Sequence, residues 1–374
     1  MAIQRVRPEF VATNIITGED RTPRVVLEAN REHNSGRTAR LEQVVFVNDL
    51  SPAEALDAVC DREGEIDIVT EVSPADARRV LDSQFARLVT IDANRMLTGV
   101  FNTYEVNDAP LQDVRMREAL NWAVDRHRIV EEAFAGYATP LAALTPTWCN
   151  GAVAELEPRR RDPARAKELA DAVGWPEGRA LRIAADASLE GVARMISADV
   201  QDALGIASEI IAVPADEMVA GARALIEKKL VPPWDVLLNP WFDLSSDNPA
   251  AFVHREFFGH DGAFRAGPPD PEFDRIFAEL ARTIDVDRSR ALAEQIDRYV
   301  YEQSKALFLC APNALYAVNR HVDFKAYRAT FELADTEVSA EHWSRQDESR
   351  APLGNEVPHQ RGGSTLARSA GLPH

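Results

Sequence analysis

The residues best placed to do chemistry are acidic and aromatic, and they cluster between 239 and 261. Trp241-Phe242-Asp243 is followed closely by Asp247-Asn248-Pro249. A carboxylate in a partly dry cleft pairs with an ammonium group through charge-assisted hydrogen bonds worth ~1.5–3 kcal/mol. Trp241 or Phe242 beside it supplies an apolar or cation–π wall, and Trp148 is a further wall candidate. Asp243 and Asp247 compete for the ionic contact, and the spacing does not choose between them. Just downstream, His254-Arg255-Glu256 and His260-Asp261 carry ligand types that suit zinc or nickel. That stretch reads as a loop with Arg255 inside it, however, and solvated polarity explains it as well, so no metal is expected. The sequence holds no Walker loop, no GxSxG, no HExxH and no spaced Cys/His cluster. No pair of residues suggests a nucleophile or a general acid and base. The chemistry expected is therefore binding without catalysis and without a cofactor.

Those candidates need elements to hold them. Strands are predicted at Val25–Glu28, Val44–Val47, Ile66–Val69 and Val89–Ile91, alternating with helices over Pro52–Glu63 and Pro74–Asp82. Both helices open with Ser-Pro, the N-cap followed by a residue that suits the first turn. In QDVRMREALNWAVDRHRIVEEAFAG (112–136), Met116, Leu120, Ala123, Val130 and Phe134 recur at helical spacing. Asp125 caps a second helical stretch there, and Gly136 ends it. Further strands are expected near Ala180–Ala184, Ser208–Ala212 and Asp235–Leu238, with a core-facing helix over Asp287–Ser304. The stretch 239–271, rich in Pro, Gly, Phe and Asp, reads as one long irregular loop, the kind that is usually functional.

Several of these strings together resemble one family. Val114-Arg115-x-Arg117-x-Ala119-Leu120-x-x-Ala123-Val124-Asp125-Arg126 is similar to the central signature of the bacterial extracellular solute-binding proteins of family 5, the oligopeptide, dipeptide and nickel-binding subunits of ABC importers. Asp162-Pro163-x-x-Ala166-Lys167-x-Leu169 with Gly174-Trp175, then Leu204-Gly205-Ile206 and Pro214 to Met218, look like the markers that follow in that family. Pro233-Trp234-Asp235-Val236 leading to Asp243 resembles its stretch in which an aspartate lies near a bound peptide's amino group. Val25 to Asn30, Gly64-Glu65-Ile66-Asp67-Ile68 and Pro271 to Pro312 extend the match over roughly residues 20–330.

The resemblance implies an α/β chain with a two-lobed, periplasmic-binding-protein type II-like fold, lobe one being incomplete at its N-terminus. Residues 1–101 would be partial lobe one and 102–325 lobe two, carrying the ligand loop 239–271. Residues 326–343 would return to lobe one, and 344–374 would form a disordered tail. Asn102 and Thr103, at the expected lobe crossing, join the candidate ligand contacts, with a hinge near 101–104 and 322–326. The implied function is a solute-binding protein of an ABC importer, holding a peptide-like or other small solute between its lobes. A cytosolic enzyme or accessory protein built on the same scaffold, or a truncated remnant, is the alternative.

Composition narrows the partners. Across 374 residues the net charge is −18, which opposes nucleic-acid binding and anionic membranes, since both need a basic patch. Cys60, Cys149 and Cys310 are too far apart to suggest a disulfide framework or metal motif. No run approaches the ~18–20 apolar residues of a membrane span. The resemblance implies a periplasmic location and an ABC permease partner if exported. MAIQRVRPEFVATN lacks an apolar h-region, so a cytoplasmic location is expected if Met1 is the true start. A monomer is expected.

Overall fold

The computed structural model describes residues 24–30, 39–104, 107–214, 227, 232–242 and 251–346. The chain begins with two antiparallel strands, β1 (Arg24–Glu28) and β2 (Gln43–Val47), paired Val26 to Val45. Helix α1 (Pro52–Cys60) follows, opened by a capping box in which Ser51 accepts from the Glu54 N–H and Glu54 accepts from the Ser51 N–H. The short strand β3 (Ile68–Val69) leads to a 3₁₀ turn at Pro74–Asp76 and helix α2 (Ala77–Asp82), so the expected single helix has a tight first turn. Strands β4 (Ala86–Ile91) and β5 (Arg95–Phe101) come next, then α3 (Val114–Ala123), α4 (Arg126–Ala133) and the short strand β6 (Ala138–Pro140). Beyond them lie α5 (Pro163–Val173), β7 (Leu181–Ala185), α6 (Glu190–Leu204), β8 (Ser208–Ala212) and β9 (Val236–Phe242). The chain closes with α7 (Ala251–Phe258), α8 (Pro271–Leu280), α9 (Val286–Glu302), β10 (Ala306–Pro312), β11 (Ala314–Asn319), β12 (Val322–Asp323), β13 (Glu337–Val338) and α10 (Trp343–Gln346).

Two sheets organise these elements. The larger has the order β6-β10-β5-β9-β7-β8 and the smaller the order β3-β11-β4. Alternating residues of the large sheet feed two cores. Leu97, Ile183, Leu238, Leu307 and Leu309 pack against Met116, Leu120, Ile129 and Ile196 on one face. Met96, Val100 and Phe308 pack against Phe257, Phe273, Ile276, Leu292 and Ile296 on the other. A sheet buried on both faces explains why β10 is apolar throughout. The small sheet buries Leu56, Val59 and Val80 on one side, and Phe324 and Leu333 with part of the β1–β2 ribbon on the other.

The family-like string around α3 and α4 bolts this fold together. Arg117 donates to the carbonyls of Leu111, Gln112, Gln303 and Ser304. Arg126, 2% exposed, donates to the carbonyls of Phe308, Asn121, Val124 and Arg159. Burial pulls the Arg126 guanidinium down to about 9 and that of Arg117 to about 10. Asn121 completes the joint by donating to the Ala306 carbonyl.

Sheet membership changes at two places, Asp92–Asn94 between β4 and β5 and Asn313 between β10 and β11. This moves the crossing about ten residues before the boundary at 101 read from the sequence. Strand β5 belongs wholly to the large sheet, because β9 and β10 flank it along its length. Residues 322–324 likewise lie within the smaller unit, since Val322 and Phe324 pack on Tyr316 and Val318. The chain passes between the two sheets at Asp92–Asn94 and Asn313, and not at the expected 101–104 and 322–326. The stretch 239–271 is also more regular than its composition suggests. Strand β9 runs through Phe242, and Val253 and Phe257, four residues apart, give α7 its buried stripe. Residues 344–346 complete α10, while the rest of the expected tail lies outside the described residues.

Candidate functional site

Strand directions single out one edge of the large sheet. Strands β7, β8 and β9 are parallel, β5 is antiparallel to β9, and β10 is antiparallel to β5. The C-terminal ends of β7, β8, β9 and β10 therefore share one edge of the large sheet, and β5 and β6 start there. Both crossings into the small sheet leave from that same edge. In open α/β sheets, ligands settle outside the carboxyl ends of the strands, so this junction is the candidate site.

Arg95 opens β5 at the junction and grips Glu71 of the smaller unit through two hydrogen bonds, Nη1 to Oε2 at 2.7 Å and Nη2 to Oε1. The Glu71 carboxylate holds the Arg95 guanidinium above its ordinary value. Glu71 itself sits at φ 59°, a strained setting for a side chain. In the crossings, Asn313 donates to Asp92 at 3.4 Å, and the Asn94 N–H donates to the Arg328 carbonyl at 3.0 Å. The Cys149 thiol donates to Asn94 Oδ1 at 3.4 Å. Asn94 is 2% exposed, yet its Nδ2 has no partner among the described residues, and the same is true of the buried Nε1 of Trp148. Buried donors left unpaired cost ~1–3 kcal/mol each.

The structure brings some of the predicted contacts to this edge and separates others. Phe242 closes β9 opposite Arg95, and Trp241 lies opposite Met96. The Trp241 ring is half-buried, edge-on to Phe257 at 5.3 Å and to Phe264 at 5.1 Å. Trp148 packs into the same apolar cluster. Asp243 and Asp247 lie outside the described residues.

Asn102 and Thr103 lie at the opposite end of β5, about 20 Å away at the ~3.3 Å rise per strand residue. There Asn102 is fully buried and donates to the Pro232 and Trp234 carbonyls, and its Oδ1 accepts from the Tyr104 N–H. The Thr103 N–H donates to the Ala266 carbonyl at 2.8 Å. The Phe-Asn-Thr string marks the exit of β5, where polar side chains close off strand ends, and not the crossing.

The histidine cluster is taken apart in the same way. His254 is 2% exposed and meets Asp297 of α9 at 3.1 Å, while Arg255 pairs with Glu256 and Asp261. Among the described residues no three His, Cys, Asp or Glu are placed to share a metal ion. Sequence reasoning missed Glu71, Asn94, Asn313 and Arg328. Single polar residues next to strand ends carry no periodic signal, and only the crossing of two sheets gives them a common address.

The family model described as bacterial extracellular solute-binding proteins, family 5 Middle, matches residues 16–260. The glutathione-binding protein GsiB of Salmonella typhimurium is 41% identical over 73 residues, 20% of this chain and 14% of that protein. The ABC transporter substrate-binding protein CtaP of Listeria monocytogenes superposes with a TM-score of 0.72 at 19% identity, covering 84% of this chain and 64% of that one. The periplasmic binding protein DppA of Helicobacter pylori, solved with the peptide STSA, gives a TM-score of 0.67 at 17% identity, covering 84% and 60%. The chain thus spans under two thirds of each relative. Likeness at these identities shows the fold, that of two-lobed type II periplasmic binding proteins. Among the described residues no helix is long and apolar enough to cross a membrane.

Proposed function

Because this chain belongs to the bacterial extracellular solute-binding proteins of family 5, we propose that it binds a peptide-like solute at the junction of its two α/β units and presents it to an ABC permease, with no bond made or broken. The observation that carries this reading is the shared edge. Four strand ends, that of β9 at Phe242 among them, and both crossings meet there. Closure of the two units about Asp92–Asn94 and Asn313 would sequester the solute, as in hinged binding proteins. Trp241, Phe242 and Trp148 would offer apolar contact, and Asp243 or Asp247 would meet the solute's ammonium group. The family's work lies outside the cytoplasmic membrane, and the reading puts this chain there too, which cell fractionation tests.

Isothermal titration against a library of dipeptides and longer peptides tests the binding claim. Heat with a subset of peptides is expected, and its absence with every peptide refutes the reading. Asp243→Asn and Asp247→Asn then assign the acidic contact. One of them should weaken a free peptide by about 10–150-fold, the loss of ~1.5–3 kcal/mol. The same change should leave an N-acetylated peptide untouched.

A further inference from the structure

We infer that an open groove on the smaller unit, away from the junction, binds a small zwitterion, with its oxyanion on one wall and its ammonium group on the other. The groove spans about 480 Å³ and is lined by Arg87, Arg320, His321, Asp323, Glu337 and Ser339, among others. Arg87 stands near the start of β4, and Arg320 and His321 make the turn from β11 to β12. Asp323 and Glu337 belong to the β12–β13 ribbon, which Ser339 adjoins. Both crossings to the larger unit lie at the other ends of β4 and β11. The six residues of β11, at ~3.3 Å each, put about 20 Å between this groove and the junction. The inference therefore does not depend on the peptide-binding reading.

The charges that line the groove are sorted by sign rather than paired. Arg87 Nη2 donates to the Val322 carbonyl at 3.1 Å, and Arg320 Nη2 donates to the Ser83 carbonyl at 2.8 Å. Main chain thus orients both guanidiniums, and neither meets a carboxylate among the described residues. Asp323 and Glu337 are Cα partners in the β12–β13 register, so their side chains stand together on one face of the ribbon. Like charges directly opposite one another destabilise a strand pair. Glu337 has Arg40 at 3.7 Å, whereas Asp323 has no cation within reach among the described residues. His321 is engaged by Glu63 at 3.5 Å and by Ser339 Oγ at 3.5 Å. A guanidinium carries five donors in a fork that fits the oxygens of a carboxylate or phosphate. Two adjacent carboxylates match an ammonium group, which has three donors and no acceptor. A bare anion would meet the acidic pair and a bare cation the arginines, and like charge opposes each approach. One molecule with both groups satisfies both walls, and tethering its two ends makes the second contact intramolecular.

The test titrates the full chain by calorimetry at low ionic strength, where exposed charges are least screened. One probe is phosphoethanolamine, set against its halves, inorganic phosphate and ethanolamine. The other is β-alanine, set against propionate and ethylamine. At least one zwitterion should bind at least tenfold more tightly than either of its halves, and the two probes show which oxyanion the arginines accept. Asp323→Asn and Arg320→Gln alter exposed side chains, and each should weaken that zwitterion at least fivefold. An unchanged urea midpoint shows that each variant is still folded. Asp243→Asn and Asp247→Asn should leave the zwitterion's affinity as it is, which separates the groove from the peptide site. Equal binding of a zwitterion and its halves, or no heat with either zwitterion, overturns the groove and leaves peptide binding intact. Loss of zwitterion binding in the Asp243 or Asp247 variants, with none in the groove variants, overturns it as well.

Discussion

Replacing Asp235 with Asn should cost the protein ~3–5 kcal/mol. The Asp235 side chain is completely buried at the start of β9, and its carboxylate accepts four hydrogen bonds. Arg179 supplies two at 2.8 Å, the Arg182 side chain one at 3.0 Å and the Arg182 N–H one at 2.8 Å. Burial by itself would raise the Asp235 pKa, but these donors overcome it and hold the carboxyl below its ordinary range. Gross charge-assisted bonds of ~1.5–3 kcal/mol each would overstate the effect, since desolvating the ions offsets much of it. What remains on mutation is a nearly buried Arg179 facing an amide. Its other carboxylate partner, Asp108, is 75% exposed and contributes only ~0–1 kcal/mol. Asn keeps the shape, so no cavity term enters. Urea unfolding followed by circular dichroism at pH 7 should show the loss as a lower midpoint at unchanged slope. A lowered folded-state pKa means that the stabilisation is present above the unfolded value of ~3.9 and disappears as pH falls through the folded one. The gap between wild type and Asp235→Asn should therefore narrow below about pH 4. A loss under ~1 kcal/mol, or a gap that widens on acidification, would refute the account.

Three further outcomes test the frame around the junction. Arg126→Met fills similar volume but strands the carbonyls of Phe308, Asn121 and Arg159, so stability measured in urea should drop by at least ~3 kcal/mol. Gly99→Ala would put a Cβ 2.6 Å from Val236 Cγ1 and 3.0 Å from Leu307 Cβ. That overpacking at the centre of the large sheet should cost ~1–3 kcal/mol, seen as a lower melting temperature. Ser51→Ala removes one half of the α1 capping box and should cost ~1 kcal/mol, with near-unchanged peptide binding because α1 is remote from the large sheet.

Much of the architecture follows from local rules. The Ser-Pro starts at 51 and 73, the Asp caps at 125 and 162, and the short apolar runs of β1, β2 and β7 depend on neighbours within a few residues. Such features can be read without knowing what lies across the fold. The string around Arg117 and Arg126 marked the family, and its polar residues turn out to serve packing, since their donors end on main-chain carbonyls of α9 and β10. Long-range pairing was beyond that reading. Nothing local in Arg95–Phe101 says whether it crosses between sheets or lies inside one. Its flanking by β9 and β10, more than a hundred residues away in sequence, decides the matter. The same pairing moved Asn102 and Thr103 to the far end of the sheet. It gathered Glu71, Asn94, Trp148, Asn313 and Arg328 at the near end. Composition and periodicity determine which segments become strands and helices, because those depend on side chains a few residues apart. Only the tertiary structure decides which strand ends meet, because that depends on hydrogen-bond partners brought together by burying two shared cores.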